Sequence, residues 1–100
     1  MAFEVWFKDE SLDRLEKDAN YDAGYSAAVV KAFRKRMQYI RAATDERDFY
    51  AMKSFGFEKL KGKRSNQYSI RLNDQWRLIL EIDGEGPDRK LAIIGVEDYH

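Results

Sequence analysis

The chain has 100 residues, with 18 Lys and Arg against 18 Asp and Glu, one His, no Cys, one Pro, 44% hydrophobic and 14% aromatic content. This is enough for one small core, with residues 1–100 read as a single domain, and too little for two. Without cysteine there is no disulfide framework or thiolate metal site, and one histidine cannot build a multi-histidine centre, so no metal or cofactor is expected. No apolar run approaches the roughly 20 residues of a membrane span, and the start MAFEVWFKDE lacks the charged-then-apolar order of a signal peptide, so the reading is of a cytosolic protein that engages no membrane.

Phe3, Val5 and Phe7 alternate with Glu4 and Trp6, which predicts a first strand. Asp9 or Ser11 can cap a short helix carrying Leu12 and Leu15, and 20–24 break it. Ser26 can cap the clearest helix, in which Val29, Val30, Phe33, Met37 and Ile40 recur at three- and four-residue steps. Thr44, followed by Asp45 and Glu46, resembles another capped start and predicts a helical turn to about Met52. After Gly56 the period becomes two. Strands are expected at 57–60, 67–72, 76–82 and 90–96, separated by turns at 61–66 and 73–75 and a Gly-Pro loop at 83–88. One strand, two or three helices and then an antiparallel meander make an α+β layer architecture.

Parity sets the register of the central hairpin. Tyr68, Ile70 and Leu72 share one face, as do Trp76, Leu78, Leu80 and Ile82. A three-residue turn at 73–75 pairs Leu72 with Trp76 and Ile70 with Leu78, whereas a two-residue turn would mix the faces. Arg71 then lies opposite Arg77 on the face away from the helices. Like charges there cost roughly 0.2–1 kcal/mol unless an anion lies between them. Glu81 or Glu58 can supply that anion, and so can a phosphate. Tyr68 shares its face with Ile70, which favours core packing over a base-stacking role.

Charge is unevenly distributed. Residues 1–22 hold seven acids and three bases, 31–41 five bases and no acid, 53–77 seven bases and two acids, and 79–100 six acids and two bases. The block at 31–41 reads as a solvated helix face. The block at 53–77 falls on adjoining strands and their turn, and predicts a concave cationic surface suited to a polyanion.

Three stretches carry a resemblance: Leu60-Lys61-Gly62-Lys63-Arg64, the run from Gln67 to Arg77, and the ending Glu97-Asp98-Tyr99-His100. In order and spacing the chain resembles the HigB toxins of the RelE/ParE superfamily, the toxin components of bacterial type II toxin–antitoxin modules. The resemblance implies a RelE-like microbial ribonuclease fold that cuts mRNA in the A site of the 70S ribosome without metal. A helix-turn-helix, HigA-like antitoxin holds such toxins off, and DNA is met only through the antitoxin complex. The family chemistry is attack of a ribose 2′-hydroxyl on the adjacent phosphate, which needs a proton acceptor, a proton donor and cations on the phosphate.

On that resemblance the catalytic candidates are Glu58, Lys61, Arg64, Arg77, Asp98, Tyr99 and His100, with Lys59, Lys63 and Arg71 as further RNA contacts. Histidine is the side chain whose ordinary pKa, about 6.5, suits proton transfer near neutrality. The resemblance implies Glu58 and His100 as the acid–base pair, with either order open. Lys63 stands where the family usually has Asp, and Asn66 where Gly is typical. Two rival functions share the fold: a ParE-like inhibitor of DNA gyrase, and a catalytically degenerate antitoxin-binding module.

Overall fold

A computed structural model describes residues 3–64, 66–84 and 89–98. The elements are β1 (Glu4–Phe7), α1 (Glu10–Lys17), α2 (Ala27–Ala42), α3 (Arg47–Ala51), β2 (Glu58–Lys59), β3 (Gln67–Arg71), β4 (Trp76–Asp83) and β5 (Lys90–Asp98). Short 3-10 turns lie at Lys53–Phe55 and Gly62–Arg64. The strands form one mixed sheet in the order β1-β5-β4-β3-β2. β2 to β5 run antiparallel as expected, and β1 closes the sheet by pairing parallel to β5, with Val5 opposite Leu91.

Local sequence explains most boundaries. The Asp9 carboxylate caps α1 by accepting from the Ser11 amide at 2.9 Å, and the Ser26 hydroxyl caps α2 by accepting from the Val29 amide. α3 starts later than expected, because Thr44 is not its cap. The Asp48 carboxylate reaches back instead and accepts from the amides of Thr44 and Asp45. Asp45 in turn accepts from the Arg47 amide, the main reason its carboxyl titrates below the usual value. Glu46 is drawn across to Arg89, tying α3 to the start of β5.

The core lies between the helices and one sheet face. Leu12, Leu15, Phe33, Met37, Ile40 and Phe49 meet Ile70, Leu78, Leu80, Leu91 and Ile93, all closed to solvent. Each such side chain contributes about 1.5–3 kcal/mol of burial free energy. Tyr68 packs on this side, its ring stacked on Phe57 at 5.1 Å, so core packing wins over base stacking.

The basic block on α2 is not a simple solvated face. Lys31 and Lys35 are exposed, but Arg34 donates to the carbonyls of Leu15, Asp18 and Tyr21, Arg36 to that of Arg71, and Arg41 makes a two-pronged pair with Glu16. Carbonyls left over at the end of α1 and in the following loop need donors, and Arg34 supplies them.

Candidate functional site

The central hairpin has the register that parity demands: Ile70 faces Leu78 and Arg71 faces Arg77, with the Leu72 amide donating to the Trp76 carbonyl. Ser69, Arg71, Arg77 and Ile79 consequently share the face turned away from the helices. Glu58 pairs with Ser69 and joins that face from the edge strand. Glu97 joins it from β5, and here the sequence pattern alone misleads. Leu80 pairs with Ile93 but Ile79 with Gly95, so Ile94 is an extra residue that makes a β-bulge and shifts the parity of all that follows. Without the bulge, residue 97 would fall on the core face with Leu91 and Ile93. With it, Glu97 sits directly opposite Arg77.

Arg77 is the centre of the arrangement. Its side chain is only 10% exposed. Nε donates to the Ser69 hydroxyl at 2.9 Å, Nη2 donates to the Gly56 carbonyl, and the Glu58 carboxylate stands 3.9 Å from Nη2. Gly56 makes this possible, because its φ of +52° turns the backbone sharply beside the guanidinium. The apolar side chains Leu60 and Ile79 wall the small cleft of about 70 Å³ that Arg77 and Ser69 also line. An arginine keeps its charge in such surroundings, and apolar walls strengthen its attraction for an anion.

Arg64 enters the cleft from the 3-10 turn. It grips the Glu97 carboxylate with two hydrogen bonds, 3.1 and 2.6 Å, while its Nε donates to the Gln67 side chain at 2.9 Å. Asp98 lines the same cleft and accepts from the Gln75 amide side chain at 3.2 Å. The site thus brings together Glu58, Arg64, Arg77 and Asp98 of the catalytic candidates. Lys61 and Lys63 flank it, exposed on the turn and holding no carboxylate among the described residues. Tyr99 and His100 lie outside the described residues.

Three expectations change. Lys59 is off the cleft side, because it pairs with Tyr68 and period two puts it on the helix side of the sheet. Arg71 is on the open face but its guanidinium is held by the Asp74 carboxylate and the Asn73 carbonyl, away from the cleft. The anion beside the Arg71–Arg77 pair is therefore Asp74 for one and Glu58 for the other, while Glu81 accepts from Asn66 instead. The surface is not uniformly cationic either, since the cleft holds Arg64 and Arg77 against Glu97 and Asp98.

Ser69, Gly56 and Glu97 were not singled out by the sequence reading. Ser69 was legible as a small polar residue on the Arg71 face, whereas the place of Glu97 follows from the bulge at Ile94. A larger open groove of about 480 Å³ lies between residues 19–25 and α2, away from all the candidate residues. Tyr25 lines it, and burial first, then the nearby Asp9 charge, raises its phenol pKa.

Comparison with solved structures places this fold among the YoeB/ParE-type toxins. A YoeB/ParE toxin from Agrobacterium tumefaciens superposes with a TM-score of 0.64 at 17% identity, covering 98% of this chain and all of that one. The YoeB-YefM complex from Staphylococcus aureus gives 0.60 at 20% identity, covering 100% and 99%. The model of the RelE-like toxin of type II toxin–antitoxin systems, HigB, matches residues 5–92, and Toxin HigB-1 of Vibrio cholerae serotype O1 is 32% identical over 85 residues, 84% of this chain and 87% of that protein. The chain belongs to the HigB-like toxins of type II toxin–antitoxin systems.

Proposed function

We propose that this toxin is a metal-independent mRNA endoribonuclease that acts on mRNA in the A site of the 70S ribosome. The observation that carries the reading is the buried Arg77, held by Ser69 and Gly56 with Glu58 3.9 Å away, in a cleft that Arg64 and Asp98 also line. A scissile phosphate against Arg77 and Arg64 would have its developing charge met by two guanidinium groups, with Lys61 and Lys63 adding attraction from the turn.

In the reaction, the ribose 2′-oxygen forms a bond to phosphorus as the bond from phosphorus to the 5′-oxygen breaks. The 2′-hydroxyl proton passes to a base, and a second proton passes from an acid to the leaving oxygen. Glu58 and His100 are the proposed pair, in either order, with Asp98 and Tyr99 as further catalytic candidates. The products are a 2′,3′-cyclic phosphate and a 5′-hydroxyl.

The reading includes a helix-turn-helix, HigA-like antitoxin as partner, and DNA contact only through that complex. The YoeB-YefM complex from Staphylococcus aureus supports an antitoxin partner in general. The proposed place of action is the cytoplasm, where ribosome-bound mRNA is met. Among the described residues no helix is long and apolar enough to cross a membrane.

Primer extension on mRNA from cells producing the protein tests the reading, with His100→Ala and Lys61→Ala beside the wild type. New 5′ ends are expected in the wild type and reduced about 10²-fold or more in His100→Ala. Ends that persist in both variants overturn the site assignment. Growth arrest that survives His100→Ala without any cleavage points instead to gyrase binding.

A further inference from the structure

We infer that Glu97 occupies Arg64 in the free protein as a stand-in for the substrate phosphate, and that RNA enters the cleft by displacing it. The inference rests on the phosphate-binding reading of the cleft. Its origin is the shape of the Arg64 contacts. Nη1 and Nη2 both bond the Glu97 carboxylate, which takes the same two-pronged edge of the guanidinium that a phosphate takes. One edge cannot serve both anions.

Two features make the exchange feasible. Gln67 holds Arg64 through Nε, the atom outside the contested edge, so the guanidinium stays aimed when the carboxylate leaves. The Arg64 and Glu97 side chains are 43% and 48% exposed, so the pair is solvated and weakly held, and Glu97 has water to turn into. The bulge at Ile94 has a function in this account, because it alone brings Glu97 opposite Arg77 and within reach of Arg64. The cleft then stays charge-balanced until a phosphate arrives. Glu97 is a residue that tunes anion capture and not one that touches the reacting atoms.

The test is a titration of inorganic phosphate into the full chain, followed by the backbone amide NMR signals of Ser69 and Arg77. It compares wild type, Glu97→Gln, Arg64→Ala and the double variant. Glu97→Gln is expected to bind phosphate about twofold to fivefold more tightly, the span set by an exposed ion pair. With single-stranded RNA carrying 2′-deoxy sugars as probe, its affinity should fall more steeply with salt, by up to about 0.7 in the log–log slope, because a freed Arg64 releases a counterion. In the Arg64→Ala background the Glu97→Gln gain should vanish.

Equal or weaker phosphate binding by Glu97→Gln overturns the inference, and so does a gain that persists without Arg64. In both cases the phosphate reading of the cleft still stands. Absence of any phosphate-dependent shift at Ser69 and Arg77 in all four proteins overturns that reading and the inference together.

Discussion

On the helix side of the sheet, Ile70, Leu78, Leu80, Leu91 and Ile93 are sealed from solvent. On the other side of the same strands, Ser69, Arg77 and Glu97 form a polar cluster, with Glu97 opposite Arg77 and the Ser69 hydroxyl accepting from the Arg77 Nε. The two faces come from one alternating sequence, yet they differ in what a substitution should do. The apolar face holds the fold by area removed from water, a property spread over many residues. The polar face holds its arginines by a few directed hydrogen bonds, so its chemistry depends on single atoms.

The largest expected effect is on the apolar side. Leu80→Ala should lower unfolding free energy by about 2–5 kcal/mol in urea denaturation, since it deletes a fully buried side chain between two strands. The folded fraction should still bind inorganic phosphate with wild-type affinity. A large change in that affinity would show that the two faces are not separable.

The next effect contrasts two facing arginines. Arg77→Lys keeps the charge but cannot serve Ser69, Gly56 and an incoming phosphate together, so cleavage should fall about 10²-fold or more. Arg71→Lys exchanges one exposed partner of Asp74 for another and should change cleavage by less than about threefold. Rate measurements on ribosome-bound mRNA check both, and similar losses would remove the distinction drawn between the pair.

The apolar face was the more legible of the two. The steps from Val29 to Ile40 and the alternation from Tyr68 to Ile82 declare helix and hairpin because each local pattern has one buried solution, and the register follows from parity. Three features depended on a choice of partner that the period of the sequence does not express. The parallel pairing of β1 with β5 joins opposite ends of the chain, and no local period encodes it. The start of α3 depends on which carboxylate reaches the free amides, and Asp48 prevails over the Thr44 hydroxyl. The fate of each arginine depends on which nearby acid shares its face, which the Ile94 bulge decides for Glu97.

That bulge also refines the meaning of the basic run at 53–77. Seven bases there predict a concave cationic surface. Arg64, Arg71 and Arg77 each have a carboxylate within ion-pair distance, and the exposed lysines at 61 and 63 remain as the outward charge near the cleft. On the proposed function, long-range attraction for RNA falls to the lysines and local grip on the phosphate to the arginines.

The most direct test of the account is the chemistry of the ends it makes. Purified toxin is incubated with 70S ribosomes carrying a defined mRNA, and the downstream fragments are offered to a polynucleotide kinase with labelled ATP, with and without prior phosphatase treatment. Attack by the 2′-hydroxyl predicts 5′-hydroxyl ends that label fully without phosphatase, in step with cyclic phosphates on the upstream fragments. Fragments that label only after phosphatase carry 5′-phosphates, and that result would contradict the account.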